Sequence, residues 1–136
     1  MQSVPSTEPV PAALRRWFVF HCVADVAFAV PMFLVPEALL VALGWTEVDP
    51  AMTRLVAAAL FGIGLESWFG RNAGRDAFVQ MLTLKVIWAT AATVGLVWSA
   101  VSGGPPALWL FAGIFAAFLG LWASWRTSLL RSTAPG

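Results

Sequence analysis

The chain has 136 residues, 60% of them hydrophobic and 11% charged, with a mean hydropathy of +0.80. Soluble domains are about 45–50% apolar and about 25% charged, so this composition lacks the polar surface to enclose a soluble monomer, and it also excludes a disordered chain. A net charge of +1 without any basic tract excludes a nucleic-acid partner, and the length suits one domain.

A bilayer core is crossed by about 20 apolar residues of helix. Residues Met1 to Ala13, with Pro5, Pro9 and Pro11, predict a disordered cytoplasmic leader that is not a cleaved signal peptide. The first span is expected from Trp17 to Pro36, with Asp25 as its only charge. Pro36 to Trp45 then predicts a short helix lying in the outer interface, with Pro in its first turn and Gly44 just past its end. The second span runs from about Ala51 to Gly70 and is closed by Arg71. The third runs from about Ala77 to Ser102 and holds one charge, Lys85. The breaker Gly103-Gly104-Pro105-Pro106 separates it from a fourth span, about Ala107 to Trp125, and Thr127 to Gly136 reads as a cytoplasmic tail. Runs so continuously apolar argue against membrane strands, which alternate. The expected fold is therefore all-α, a four-helix bundle integral to the membrane.

Orientation follows from the distribution of basic residues. Arg15 and Arg16 precede the first span, Arg71 and Arg75 join the second to the third, and Arg126 and Arg131 follow the fourth. The connection between the first two spans carries Glu37, Glu47 and Asp49 instead, with Arg54 nearby. Both termini are then cytoplasmic, which is also what an even number of spans requires. Trp17, Trp45, Trp68, Trp98, Trp109, Trp122 and Trp125 sit near span ends, as in an aromatic belt, whereas Trp88 lies well inside the third span.

Lipid tails are as apolar as leucine, so small residues and hydrogen bonds must join the spans. Four-residue spacing marks Ala58, Gly62, Glu66 and Gly70 in the second span, and Ala112, Ala116, Gly120 and Ser124, flanked by Gly113 and Ala117, in the fourth. His21, Asp25 and Ala29 share a face of the first, and Lys85, Ala89 and Ala92 a face of the third. These faces are expected to point inward.

The inward faces carry the chain's most informative feature. At about 1.5 Å per residue, Asp25 and Lys85 each lie about 13 Å in from the cytoplasmic end, and His21 and Glu66 about 7 Å in. Helical side chains lean toward their own N-terminus, so Lys85 and Glu66 lean toward each other from helices of opposite direction. A lone charge in a bilayer costs several kcal/mol, and pairing is the usual escape. His21, Asp25, Glu66 and Lys85 are thus expected to form one coupled cluster, with Gln80 and Thr83 able to add hydrogen bonds and Trp88 beside it. The cluster reads either as a binding or proton-relay site or as an ion-pair network that fixes helix register.

Other chemistry is sparse. Cys22 reads as a small buried apolar residue, pointing some 100° away from His21 around the helix. No phosphate loop, zinc spacing or hydrolase elbow occurs, so neither a catalytic constellation nor a metal site is expected. No cofactor is predicted, although a tetrapyrrole on His21 or a quinone stays open.

Pro36-Glu37 with Leu39, Leu40, Leu43 and Gly44, then Arg54 and Phe61-Gly62-Ile63-Gly64-Leu65-Glu66, resemble a group of small bacterial four-span membrane proteins related in layout to the DoxX-like families. The resemblance covers about a quarter of the chain and implies a four-helix membrane fold, in a bacterial inner membrane, without an activity. Three functions follow as expectations. The first is a non-enzymatic accessory or interaction subunit, contacting the bilayer and other membrane helices in a homo-oligomer or larger complex. It rests on small-residue faces and on a bundle with little room for a private ligand cavity. The second is a small oligomeric proton-coupled transporter or channel using the ionisable cluster. The third, implied by the DoxX-like layout alone, is a membrane enzyme or binding protein for an isoprenoid- or quinone-type lipid.

Overall fold

The computed structural model describes residues 9–132. Residues 1–8 of the expected leader and 133–136 of the expected tail lie outside them. Five α-helices follow in order: α1 (Ala12–Leu34), α2 (Pro36–Ala42), α3 (Pro50–Phe69), α4 (Arg75–Val101) and α5 (Ala107–Arg131). A single 3-10 turn, Gly70–Asn72, follows α3, and no strand occurs among the described residues. The four long helices are long and apolar enough to cross a membrane, the property of a multi-pass membrane protein.

Local chemistry sets the helix ends. Pro36 drives the preceding residue out of helical geometry, and Val35 breaks the chain between α1 and α2 at φ −134°, ψ 55°. Arg54 on α3 donates from Nε to the Phe33 carbonyl at 3.1 Å, satisfying an acceptor that the end of α1 leaves open. Asp49 caps α3 by accepting from the Ala51 and Met52 amides at 2.9 and 3.1 Å, with Pro50 at the first helical position. α2 and α4 end in the same way. Gly44 at φ 101° and Gly103 at φ 93° occupy left-handed positions, and the next amides, Trp45 and Gly104, reach back to the Leu40 and Ser99 carbonyls.

Two boundaries differ from the sequence reading. α1 begins at Ala12, inside the expected leader, and α5 continues to Arg131, through the first half of the expected tail. The cause is apolar docking at both ends. Val10 and Leu129 are buried in one cluster with Leu14, Phe18, Phe78, Met81, Leu82 and Trp122. Both described chain ends therefore lie at the same end of the bundle, with the α3–α4 turn. Arg15 reinforces that end by donating to the Arg71 and Ala73 carbonyls, and Arg75 by donating to Ser132 Oγ at 2.6 Å. Trp122, expected in an interfacial belt, is instead 1% exposed in this cluster, because it stands edge-on to Phe18 in the space between helices.

The long helices associate as two pairs, α1 with α3 and α4 with α5, and between the pairs the backbones hardly approach. α1 and α3 come close because Gly64 has no side chain: a Cβ there would stand 2.8 Å from Asp25 Cβ and 3.5 Å from the Cys22 carbonyl. The inward face of α3 is accordingly Ala57, Leu60, Gly64 and Ser67. The expected face of Ala58, Gly62 and Glu66 is rotated by one residue, about 100°, and Ala58 and Gly62 are exposed. In α5 only Ala112 of the expected stripe is buried; Gly113, Ala116, Ala117, Gly120 and Ser124 face outward, since Leu108, Trp122 and Leu129 make the inner face.

Gly64→Ala is expected to overpack the α1–α3 contact and cost about 1–3 kcal/mol in a reversible detergent unfolding titration. Gly62→Ala, where a methyl meets no atom within 4 Å, should be neutral or stabilising by up to about 1 kcal/mol.

Candidate functional site: a polar floor beneath an aromatic chamber

The site is built from all four long helices. α4 brings Lys85, 1% exposed, to the seam between the pairs. Its three ammonium protons meet three acceptors: Ser67 Oγ at 2.7 Å, Glu66 Oε2 at 3.2 Å and the Ile63 carbonyl at 3.4 Å. All three lie on one turn of α3. The Phe18 and Trp122 rings lie 5.0 and 5.8 Å from Nζ, so the cation also has π faces beside it. Glu66 retains 30% exposure, which places the pair at the edge of the seam.

α1 supplies the other half of the floor. His21 and Asp25 are one turn apart, and His21 Nδ1 stands 3.3 Å from Asp25 Oδ2. The separation suits a hydrogen bond and the alignment does not: Oδ2 is buried without a hydrogen-bond partner. Nδ1 is also 3.5 Å from Ser67 Oγ, whose own proton is directed to the Ile63 carbonyl at 2.9 Å. The imidazole is held by edge-on contacts with Phe118 and Trp122, at centroid distances of 5.0 and 5.1 Å. Ser67 therefore joins the two halves, touching Lys85, His21 and its own helix.

The structure brings His21, Asp25, Glu66 and Lys85 together, as their depths and directions along the helices suggest. Gln80 does not join them; it is exposed, being five residues before Lys85 and on another face of α4. Thr83 is engaged elsewhere, accepting from Arg126 Nε at 2.9 Å and donating to the Val79 carbonyl. The hydrogen-bonding role falls to Ser67, 0% exposed, which sequence reasoning missed. The available signal was its place one turn after Ile63 and three residues after Gly64, on the face that packs against α1.

Above this floor the two helix pairs separate and flank a partly open chamber of about 460 Å³. Its walls are almost wholly apolar. Phe28 and Met32 come from α1, Leu60 from α3, Trp88 from α4, and Phe111 and Phe115 from α5. Leu40 of α2 and Trp45 beyond it border the far end, where Gly44 lies against Pro105 across the two connecting loops. From Lys85 to Leu96, both in the lining, α4 rises about 16 Å. The expectation that the bundle has little room for a ligand cavity is corrected by this volume. Bulky rings facing the gap, with the pairs held together at both ends, keep the middle open. No group of residues suited to hold a metal ion occurs among the described residues.

Such a chamber has room for an apolar molecule, and His21 and Asp25 are among the few polar residues in its lining. No family model, curated protein or solved structure matches this chain. The argument for function therefore rests on the site.

Removing Ser67 Oγ in Ser67→Ala leaves a Lys85 proton without its shortest acceptor and should cost about 1–3 kcal/mol in detergent unfolding. Lys85→Met and Glu66→Gln should be less damaging together than their separate effects add up to, with a coupling of about 0.5–3 kcal/mol in the double-mutant cycle.

Proposed function

We propose that this protein is a multi-pass membrane binding protein for a lipid-like ligand of the isoprenoid or quinone type, held in the chamber with its polar end at the His21–Asp25 floor. The observation that carries this reading is the chamber itself. Its volume of about 460 Å³ lies within the range of about 300–1,000 Å³ common for small-molecule sites, and its lining is apolar apart from a few convergent polar groups. An accessory subunit that used the bundle only as a contact surface would have no need of such a chamber or of titratable groups in its lining. The resemblance to small bacterial four-span proteins points the same way in layout only, and the bacterial inner membrane is the compartment it suggests.

The chamber's orientation follows from the arginines. Arg15, Arg16, Arg71, Arg75, Arg126 and Arg131 all belong to the end that holds the chain termini, so we assign that end to the cytoplasm. The polar floor then lies in the inner-leaflet half of the membrane. The short helix α2, with Glu37 in its first turn and exposed Val41, lies in the outer interface.

A second reading draws on the outward small residues. Gly62, Gly113 and Gly120 face away from the bundle with open space beyond them, which suits close approach by another membrane helix, from a second copy or a larger complex. The two readings are compatible.

In a Cys22→Ala background, Ser132→Cys should react with a membrane-impermeant maleimide only from the cytoplasmic side, and Glu47→Cys only from the outside. The reverse pattern would invert the assignment. Protein purified in mild detergent should carry an apolar small molecule, detected by native mass spectrometry. The chamber-filling substitutions Ala24→Phe and Ala89→Phe should each remove it while the helical circular dichroism is kept. A wild-type protein that carries nothing and binds no apolar probe, or filled variants that retain the ligand, would refute the reading.

A further inference from the structure

Where the chamber is open decides how its ligand reaches it, an inference that rests on the binding function above. At the floor, Lys85 ties α4 to α3 through Ser67, Glu66 and the Ile63 carbonyl, and the apolar cluster of Phe18 and Trp122 lies beneath. At the far end, half-buried Leu40 and Trp45 border the chamber, and the connecting loops touch at Gly44 and Pro105. Entry is left to the two seams between the helix pairs, α1 against α5 and α3 against α4. Rings cross the first of these. Phe28 meets Phe111 at a centroid distance of 5.2 Å, and Phe20 meets Phe118 at 6.4 Å. Ile114 of α5 lines the chamber and is exposed, but it stands about one turn from Phe111 and one from Phe118, between the two crossings.

Among the described residues no aromatic pair crosses the α3–α4 seam; Phe61 of α3 meets Phe33 of α1, and Trp88 of α4 meets Phe115 of α5. On α3 the lining residues Met52, Val56 and Leu60 follow at one-turn spacing, and their exposure falls from 57% to 45% to 5%. One face of α3 therefore runs from the protein surface into the chamber. Val56 lies six residues past Pro50, about 9 Å along a helix that crosses a hydrocarbon core about 30 Å thick. An opening at that depth faces acyl chains rather than water. Its rim is apolar as well. Of the polar residues in the lining, His21, Asp25 and Lys85 belong to the floor, and Thr53 spends its hydroxyl proton on the Asp49 carbonyl at 2.7 Å. The rim thus has no free polar group to receive a hydrated headgroup, whereas Met52 and Val56 suit a hydrocarbon chain.

We infer that the chamber opens sideways between α3 and α4, into the acyl chains of the leaflet opposite the chain termini, so that its ligand enters from the bilayer and returns to it past Met52 and Val56. By the orientation assigned above, this is the outer leaflet. The ligand is then a membrane-dissolved lipid. A tail longer than the chamber extends through the opening among the acyl chains and does not limit what fits.

The test follows hexadecanol, a single-chain probe that dissolves in the bilayer. The full chain in lipid nanodiscs is loaded with deuterated hexadecanol and chased with the unlabelled alcohol, and native mass spectrometry times the exchange. Val56→Trp puts an indole in the opening and should slow loading and release alike, by about tenfold or more. Met52→Trp, one turn further out, should act in the same direction, and both positions are exposed, so the fold has room for the ring. Phe20→Ala removes a ring that crosses the α1–α5 seam outside the chamber lining and should leave the rate unchanged. Three results overturn the α3–α4 opening and leave the binding function standing: no slowing in either Trp variant, slower loading with faster release (the sign of lost affinity alone), or faster exchange in Phe20→Ala. Wild-type protein that keeps a co-purified molecule and admits no hexadecanol does the same. Wild-type protein that purifies empty and takes up no hexadecanol overturns both.

Discussion

One ammonium group sets the geometry of this molecule. Lys85 Nζ is almost fully removed from the surface, on a helix with no other charge between Asp76 and its C-terminus. A buried cation is tolerated only when its protons are matched, and every match comes from across the seam. Ser67, Glu66 and the Ile63 carbonyl bind it from α3, and the rings of Phe18 and Trp122 flank it from α1 and α5. The two helix pairs have few backbone contacts with each other, so this group and the apolar cluster beneath it hold them in register.

The chamber is the consequence of a joint made at the ends. Within each pair, close contact comes from small residues, Gly64 against Asp25 being the tightest. Between the pairs, rings interlock at the terminal end and the connecting loops touch at the other, where Gly44 meets Pro105. The middle is faced by Phe28, Trp88, Phe111 and Phe115, too bulky to let the backbones close and too few to fill the space. A polar floor under apolar walls is what remains. Among the described residues one buried side-chain oxygen lacks a hydrogen bond, Asp25 Oδ2, which stands 3.3 Å from His21 Nδ1 where α1 packs on α3.

Much of the cluster was legible in the sequence, since depth along a helix is a matter of counting and side-chain lean has a fixed sense. That is why the sequence alone places Asp25, His21, Glu66 and Lys85 near one another. Azimuth was less legible. The inward face of α3 is off by one residue from the stripe of Ala58 and Gly62, because small residues recur on more than one face and only the partner's shape selects among them. The same ambiguity put Gln80 in the cluster and left Ser67 out. Gln80, five residues before Lys85, points about 140° away from it, whereas Ser67 on another helix points straight at it.

Composition and hydropathy by themselves determined four long apolar helices, their breaks near Pro36, after Gly70 and at Gly103 to Pro106, and the expense of four ionisable groups among them. These are local properties: run length, turn chemistry and the cost of an unpaired charge are set by neighbours in the chain. Tertiary structure alone decided that the helices join as two pairs, that Trp122 belongs to the core, that α5 continues to Arg131 by docking Leu129, and that a chamber opens above the floor. Those outcomes depend on how side-chain volumes from distant segments fit against one another. No periodicity in a single segment encodes a space left between two others.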